Sequence, residues 1–323
     1  MNRFTKFGLS CLLAVLLVAI SPGVISAEEK WIITDQGYKV WSSFLAPGYT
    51  VSWSGNIKNG FATGQGVLQW FQNGKLSGKY EGNMLDGRIS GKGILTLPSG
   101  DRYDGNWTND KMNGKGILTL ANGDRYEGDF VDNKINGKGF MTSANGNRYE
   151  GDFADNKAKG KGVHTWANGN RYEGDFVDNK RTGKGIFTWA NGNRYEGDFV
   201  DGKMSGYGVF TSTAGDRYDG YFSNGKWNGK ELYISRDGIR CEGDFVDGSM
   251  HGKGILVYPN GIRYEGDFFN NKMNGKGVLT WPDGGHYEGD FVDDRMNGLG
   301  SYSSRDGSIK KEGRWSNGVF VGP

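Results

Sequence analysis

The stretch RYEGDFVDNK occupies residues 125–134 and recurs, letter for letter, at residues 171–180. RYEGDFADNK lies between the two copies at 148–157, and RYEGDFVDGK follows at 194–203. A short sequence repeated at constant spacing is typical of proteins built by stacking one structural element many times. This stretch therefore predicts a repeat architecture for the chain rather than a single mixed core.

The repeated sequence is 23 residues long and reads YEGDFVDNKxxGKGxxTxxNGxR. Its third position is always glycine, its fifth is always large and apolar, and its fourteenth is glycine except where Glu231 stands. We expect repeats over residues 53–310 and a truncated repeat at 311–323. The complete repeats begin at residues 53, 80, 103, 126, 149, 172, 195, 218, 241, 264 and 287.

Each repeat contains two segments with strand character, RYEGDF and KGILTL or a close variant. Asn-Gly, as at 122–123, is typical of a two-residue type I′ hairpin turn, and the other connection, VDNKxxG, is interpreted as longer and polar. Two registers stay open. A two-residue turn at Asn-Gly puts Ile117 on the tyrosine face. A three-residue turn puts Leu118 and Leu120 there, with Trp189 in a later repeat.

These features predict an all-β fold, a single-layer antiparallel meander of about eleven 23-residue β-hairpin repeats forming an elongated twisted ribbon or trough. A lone hairpin is marginally stable in water, so stability must accumulate by stacking of neighbouring repeats. Glycine between the tyrosine and phenylalanine of a repeat leaves room for an aromatic ring to lie flat on the backbone. The glycines predicted to have this structural role are Gly128, Gly151, Gly174, Gly197 and Gly266.

The first 27 residues have the form of a secretory signal peptide. Arg3 and Lys6 precede an apolar run at 7–20, and small residues at 25–27 offer a cleavage site. The apolar run is short for a membrane span, which leaves an uncleaved anchor as the alternative. We therefore expect an exported protein, periplasmic or secreted, most simply in a bacterial envelope.

Residues 28–52 do not fit the repeat and are rich in aromatic residues. Trp31, Tyr38, Trp41 and Phe44 are predicted to cover the edge of the first hairpin, as caps do in repeat arrays. The alternative is a short linker, for which this composition is unusual.

Charge and cysteine content argue against nucleic-acid binding and against an intrachain disulfide. Without residues 1–27 the chain has equal numbers of basic and acidic residues, which argues against non-specific nucleic-acid binding. Cys241 is then the one remaining cysteine, so no intrachain disulfide is expected.

The pattern YEGxF…GxGxxTxxxGxRYEG resembles the MORN repeat (membrane occupation and recognition nexus) over about residues 53–321. The resemblance implies single-layer arrays of β-hairpins that are used in scaffolding, in self-association and in contact with acidic phospholipids. Some members of the family carry a catalytic domain beside the repeats, whereas this chain is expected to consist of repeats without one.

No catalytic or metal-binding pattern is present in the sequence. His164, His251 and His286 occupy three different repeat positions and are interpreted as solvated substitutions. Rows of acidic residues, represented by Glu127 and Asp129, are predicted to form ion pairs with nearby arginines and lysines. They lack the nine-residue pattern of calcium-binding β-rolls. We expect no enzymatic activity, no cofactor and no metal.

The aromatic rows are the candidate interaction face. The predicted function is that of a non-enzymatic exported scaffold that binds a protein partner or a second copy of itself. One alternative is binding of acidic phospholipid through lysine rows, and another is binding of cell-wall glycan through Tyr and Trp; no nucleic acid is expected. The candidate interaction residues are Tyr126, Phe130, Tyr149, Phe153, Tyr172, Phe176, Tyr195, Phe199, Tyr264 and Phe268.

Overall fold

The structure, a computed structural model, describes residues 30–42 and 48–323. The predicted signal peptide and Phe44 lie outside the described residues. The described residues divide into two compact units, those up to residue 168 with 175–180 and residues 169–174 with 181–323. Within the described residues every regular element is a β-strand, which confirms the prediction of an all-β fold.

The division between the two units falls within β14 (Arg171–Val177) and at the start of β15 (Lys180–Thr188). The earlier strands, in chain order from β1 to β13, are Lys30–Ile33, Lys39–Ser42, Tyr49–Trp53, Asn56–Lys58, Phe61–Gln72, Lys75–Leu85, Arg88–Thr96, Arg102–Thr108, Lys111–Thr119, Arg125–Val131, Lys134–Thr142, Arg148–Ala154 and Lys157–Thr165. The later strands, from β16 to β28, are Arg194–Val200, Lys203–Thr211, Arg217–Ser223, Lys226–Trp227, Gly229–Ile234, Arg240–Val246, Ser249–Val257, Arg263–Phe269, Lys272–Thr280, His286–Val292, Arg295–Ser303, Lys310–Ser316 and Val319–Gly322.

Within each unit, successive repeat strands pair antiparallel with their neighbours in sequence. In the first unit β10 lies between β9 and β11, with Tyr126 opposite Leu118 on one side and Met141 on the other. In the second unit β23 lies between β22 and β24 in the same register, with Tyr264 opposite Leu256 and Leu279. The predicted antiparallel meander of 23-residue hairpins is therefore confirmed.

The tight turn of the hairpin lies at the Asp-Asn dipeptide in the repeat that begins at Tyr126, and at the equivalent dipeptide in other repeats. Val131 pairs with Lys134, so β10 and β11 are joined by the two residues Asp132 and Asn133, with φ of 47° and 69°. Positive φ at both central residues is the signature of a type I′ turn. The interpretation of this connection as the longer of the two is wrong, because the flanking valine and lysine already belong to the ladder.

The Asn-Gly connection is a three-residue loop. Leu120 N–H donates to the Asp124 carbonyl oxygen at 2.8 Å, and Gly123 N–H donates back to the Leu120 carbonyl oxygen at 2.9 Å. Only Gly123 of the dipeptide has positive φ, at 92°. This loop decides between the two registers that the sequence left open, because it places Leu118 directly opposite Tyr126 on the aromatic face.

Side chains at both kinds of turn bind the next repeat to the previous one. The Asn133 side-chain oxygen accepts from Met112 N–H, 21 residues earlier, at 2.8 Å. At the other end of the strands the Asp124 carboxylate accepts from Ala144 N–H, 20 residues later, at 2.8 Å. The same bonds recur at Asn156, Asn179 and Asn271 for the tight turns, and at Asp101, Asn147 and Asn193 for the three-residue loops.

The described part of the segment before the repeats folds against the first two of them. Strands β1 and β2 form a hairpin, and Trp41 N–H donates to the Gly87 carbonyl oxygen at 2.8 Å. The Tyr38 hydroxyl donates to the Trp53 carbonyl oxygen at 2.6 Å. The Arg88 guanidinium lies 3.7 Å from the centre of the Trp41 ring, a distance at which a cation is attracted to the ring face.

Candidate interaction groove

The tyrosine that opens each repeat lies across a pair of glycines. A Cβ on Gly139 would stand 2.5 Å from Cζ of Tyr126, closer than real Cβ atoms come to other atoms. The Tyr126 hydroxyl reaches past Gly128 and donates to the Asp129 carbonyl oxygen at 3.1 Å. The ring is only 2% exposed although the sheet has one layer, because the two glycine backbones form its floor.

The phenylalanine of each repeat fills the space between two tyrosines. The Phe130 ring lies edge-on to Tyr103, with centroids 5.0 Å apart, and to Tyr126, with centroids 5.2 Å apart. Edge-to-face pairs of this kind contribute about 0.5–1.5 kcal/mol each beyond the area that they bury. Inside each unit the aromatic rows therefore build a core that joins successive repeats, with Cys241 in place of a tyrosine in one repeat.

The predicted interaction residues all belong to this buried core. Each is between 0 and 4% exposed, so their rings offer almost no surface to a partner. They are Tyr126, Phe130, Tyr149, Phe153, Tyr172, Phe176, Tyr195, Phe199, Tyr264 and Phe268. A Cβ on any of the predicted structural glycines would meet another atom at less than 3.0 Å. Those glycines are Gly128, Gly151, Gly174, Gly197 and Gly266.

The opposite face of the sheet, called the polar face here, is open. Along β10 the buried Tyr126 and Phe130 alternate with Glu127 and Asp129, which point the other way. In the second unit this face forms a groove of about 1590 Å³ that follows equivalent positions of successive repeats. In the first unit an equivalent groove has a volume of about 750 Å³.

The lining of the second-unit groove repeats with the sequence. Its floor contains glycine backbone, as at Gly254 and Gly266. Its sides contain a lysine, a glutamate and an apolar residue from each of the two repeats that begin at Cys241 and Tyr264. The aliphatic members are Leu232, Ile255, Val278 and Leu299, the last of which stands in a lysine position. Sequence reasoning did not select these residues as functional, although an aliphatic residue directly after Gly-Lys-Gly, as at Ile255 and Val278, recurs in several repeats and was a usable signal.

Ion pairs neutralise most of the lysines that border the grooves. Lys253 and Asp267 lie 2.7 Å apart across neighbouring strands, and Lys138 and Asp152 lie 2.8 Å apart in the first unit. Asp152 also raises the pKa of the Lys138 ammonium by accepting its hydrogen bond. Exposed pairs contribute little stability each, but they leave the lysine rows with little free charge. The predicted salt-bridged polar surface is present.

One repeat departs from this pattern. Tyr207 and Tyr221 stand directly opposite each other where other repeats have the lysine and aspartate of the ion pair. Both side chains are exposed, by 47% and 56%, and their rings meet edge-on with centroids 5.5 Å apart. Glu231 stands in the fourteenth position and is 7% exposed. The sequence already showed that Glu231 interrupts the glycine row, but not that the two tyrosines face each other.

The interpretation of His164 as a solvated residue is wrong. It is 5% exposed and lies opposite Tyr149 on the aromatic face, with its ring centroid 4.0 Å from that of Trp166. This position faces the core, since other repeats have leucine, methionine or an aromatic residue there. His164 fits it by packing its ring beside the Trp166 indole. Cys241 is half-buried in a tyrosine position, and burial raises the pKa of its thiol to about 11.

Nowhere in residues 30–42 and 48–323 do three or more His, Cys, Asp or Glu side chains group so that they could hold a metal ion. Over the same residues no helix is long and apolar enough to span a bilayer.

Comparison with protein families matches eleven consecutive segments of this chain to the MORN repeat. The chain belongs to the MORN repeat family. The predicted family membership is thus confirmed, and MORN repeats suit a scaffold for binding. The matched segments are residues 53–75, 80–102, 103–125, 126–148, 149–171, 172–194, 195–217, 218–240, 241–263, 264–286 and 287–309.

Other comparisons add little to this assignment. No curated protein sequence matches the MORN chain significantly. Among solved structures it is similar to the TCP10 domain of Danio rerio CPAP, with 13% identity, a TM-score of 0.36 and coverage of 68% of this chain and 99% of that one. It is also similar to the SAS-4 (dCPAP) TCP domain of Drosophila melanogaster in complex with a proline-rich motif of Ana2, with 14% identity, a TM-score of 0.25 and coverage of 64% and 97%. At these TM-scores neither similarity supports a conclusion about this chain.

Proposed function

We propose that this protein is a non-enzymatic MORN scaffold that binds an extended segment of a protein partner, or of a second copy of itself, along the groove of its polar face. The observation that carries the proposal is that one face of the sheet is a buried aromatic core and the other is an open groove. The aromatic rows are buried in the core, whereas the groove presents backbone, apolar side chains and charges from successive repeats.

The groove favours a polypeptide over the other two ligand classes considered from the sequence. Its lysines are mostly engaged by aspartates, as in the pairs of Lys253 and Lys276 at 2.7 and 2.6 Å, so a membrane of acidic lipid would meet little free positive charge. Its aromatic content is confined to Tyr207 and Tyr221 among the lining residues, whereas glycan binding along several repeats would use rings in each of them. Apolar and charged groups in alternation suit a peptide.

We propose further that the scaffold acts outside the cytoplasm, in a bacterial envelope. The basis for this location is the form of residues 1–27, which resembles a secretory signal. A fusion of residues 1–27 to a reporter that is active only after export tests it. Export of the fusion, and its loss when charged residues interrupt the apolar run at 7–20, is the expected result; an inactive reporter would contradict the location without affecting the binding proposal.

In-cell photo-crosslinking tests the proposed binding function. A photoreactive residue replaces Lys253 or Lys276, whose side chains are about 70% exposed on the groove, and Asn260, which is exposed in a loop outside it, serves as the matched control. We expect a discrete protein adduct, or a self-adduct, from the groove positions and none from Asn260. Adducts of lipid or glycan alone from both groove positions would overturn the proposal.

A further inference from the structure

One junction between repeats carries a pair of tyrosines on the polar face that the proposed function does not explain. Tyr207 on β17 and Tyr221 on β18 stand directly opposite each other. At the preceding junction the equivalent residues are Lys184 and Asp198, which form an ion pair at 2.8 Å. Directly opposite residues of an antiparallel pair have Cβ atoms about 4.5–5.5 Å apart, so the two phenol groups share one small space.

Both rings of this pair are accessible, and they lie close together. Their centroids are 5.5 Å apart and their planes meet at 77°, so the edge of one ring faces the other ring. Tyr207 is 47% exposed and Tyr221 is 56% exposed, which leaves room for each ring to turn about its bond to Cβ and for a small oxidant to approach. Oxidised phenols couple through the ring carbons next to the hydroxyl group, and these carbons lie on the ring edges.

A proton acceptor for one of the two phenols is already in place. The Tyr207 hydroxyl donates to one carboxylate oxygen of Asp219 on the neighbouring strand, and the Arg217 guanidinium donates to the other at 2.7 Å. These two hydrogen bonds hold the pKa of Asp219 below its ordinary value, so the carboxylate is charged at neutral pH. A tyrosine that loses one electron becomes strongly acidic and releases its hydroxyl proton, and Asp219 is placed to receive it.

The tyrosines of the aromatic core are protected from such a reaction. Those that open the repeats are between 0 and 2% exposed. A phenylalanine also separates successive tyrosines of that row, as the Phe153 ring lies 5.2 Å from Tyr126 and 4.9 Å from Tyr149 between centroids. Tyr233 and Tyr302, which lie outside that row, each contact a tryptophan ring. Coupling requires two phenols side by side, which is what Tyr207 and Tyr221 provide.

We infer that Tyr207 and Tyr221 are a site of oxidative modification, at which a peroxidase acting with hydrogen peroxide forms a dityrosine crosslink within one chain. Each phenol gives up one electron and one proton, the proton of Tyr207 passing to Asp219. The two radicals form a carbon–carbon bond between ring carbons next to the hydroxyls, and the hydrogen on each joined carbon then moves to the neighbouring oxygen, which restores both phenols. One molecule of hydrogen peroxide takes up the two electrons and two protons and leaves as two molecules of water.

The crosslink places a covalent bond where other junctions have an exposed ion pair. Exposed pairs contribute little stability each, so strands held only by such a pair separate more readily than strands that are covalently joined. We therefore expect the amides of β17 and β18 to exchange hydrogen several-fold more slowly after oxidation. The inference goes beyond the proposed function and does not depend on it, since the reaction needs no partner in the groove.

Oxidation of the folded protein by a peroxidase and hydrogen peroxide, followed by proteolysis and mass spectrometry, tests the inference. Cleavage after Lys203, Arg217 and Lys226 places Tyr207 and Tyr221 in separate peptides. We expect these two peptides to appear linked, with the summed mass less two hydrogen atoms, in protein that fluoresces as dityrosine and stays monomeric on a denaturing gel. Linkage between chains in place of this product, equal linkage of other tyrosines, or no dityrosine at all would overturn the inference.

Three variants assign the reaction to these side chains with little change to the fold. Tyr207→Phe and Tyr221→Phe each keep the ring and remove the phenol, and the linked peptides should be absent in both. Asp219→Asn keeps an oxygen that accepts from the Tyr207 hydroxyl but is a far weaker base, so dityrosine should form several-fold more slowly. Dityrosine at an unchanged yield in either phenylalanine variant would overturn the inference, and an unchanged rate in Asp219→Asn would contradict the role of the carboxylate.

A matched variant separates the pairing of the tyrosines from their exposure. Lys253→Tyr places one tyrosine at the equivalent position of a later repeat, where the lysine side chain is 72% exposed and Asp267 stands opposite. We expect no link within the chain at position 253, because no second phenol lies beside it. A link there at a yield comparable with that between Tyr207 and Tyr221 would overturn the inference, since exposure alone would then decide which tyrosines couple.

Discussion

The side-chain oxygen of Asn133 lies 2.8 Å from the backbone nitrogen of Met112, and the backbone nitrogen of Asn133 lies 3.0 Å from the carbonyl oxygen of the same methionine. One turn residue thus makes two hydrogen bonds to the previous repeat. Asparagine suits the position twice over, because it tolerates the positive φ of the turn and its amide oxygen mimics a strand acceptor.

Replacing Asn133 with glycine should weaken this link without disturbing the turn. Glycine keeps the positive φ but removes the acceptor for Met112 N–H. We expect a loss of roughly 1 kcal/mol of local stability, or about fivefold faster amide hydrogen exchange at Met112. Exchange at Met112 that does not change would show that the side-chain bond contributes nothing to the junction.

Replacing Gly248 with asparagine should strengthen a junction that lacks this bond. Gly248 N–H already donates to the Trp227 carbonyl oxygen at 2.9 Å, its φ is 89°, and no atom would obstruct a Cβ. The new side chain can accept from Trp227 N–H, which should slow exchange of that amide roughly fivefold. Gly248→Ala is the control, because alanine has no acceptor and is strained at positive φ; slower exchange in this variant would contradict the explanation.

Replacing Gly139 with alanine should displace the tyrosine ring. The added methyl group would overlap Tyr126, and overpacking of this kind costs about 1–3 kcal/mol. Urea unfolding of the variant measures the loss. The same substitution in a Tyr126→Leu background should cost clearly less stability, because the ring that the methyl group would overlap is gone. An equal cost in both backgrounds would show that overlap with the Tyr126 ring is not the cause.

Alkaline solution should destabilise the array. Burial raises the pKa of Tyr103 and Tyr126 above their ordinary value of 10.0. Below that pH the tyrosine hydroxyls are protonated in both the folded and the unfolded chain, and the folded chain has its full stability. Above it the hydroxyls of the unfolded chain lose protons that those of the folded chain keep. Each such tyrosine then lowers stability by up to about 1.4 kcal/mol per pH unit.

Urea midpoints measured from neutral pH to about one unit above 10.0 follow this loss. Tyr126→Phe keeps the ring without the ionisable hydroxyl and should make the decline less steep. A decline of the same steepness in this variant would assign the pH dependence to other groups.

Cys241 should be a poor nucleophile in the folded protein. Burial raises the pKa of its thiol from 9.0 to about 11, so the thiolate fraction at neutral pH falls about 100-fold. Reaction with a colorimetric thiol reagent should be slower than in urea by at least this factor. Similar rates in the two solvents, or a disulfide-linked dimer on mild oxidation, would contradict the assignment of Cys241 to packing.

The repeat length and strand order could be predicted from the sequence because glycine and aromatic residues mark the same positions in every repeat. The register could not, because Asn122-Gly123 is compatible with both a two-residue and a three-residue loop. The burial of the aromatic rows could not be predicted from the sequence either. It depends on how closely Phe130 approaches Tyr103 in the preceding repeat, a distance that no single repeat contains.

The pairing of Tyr207 with Tyr221 shows a different limit. The exchange of a lysine and an aspartate for these tyrosines is visible in the sequence, but their position opposite each other across a strand pair is not. Those two tyrosines are 14 residues apart in the chain, and only the register brings them together. Exceptions to a repeat become informative once the pairing of strands is known.

The bonds at the turns also bear on how such a chain changes in evolution. Each joins a residue to a counterpart about one repeat away, at equivalent positions throughout. Genetic recombination between near-identical segments, such as those encoding 125–134 and 171–180, can therefore add or remove whole repeats while every new junction finds the partners of the old one. A change of any other length would move tyrosines off their glycines, so selection should preserve the period more strictly than the number of repeats.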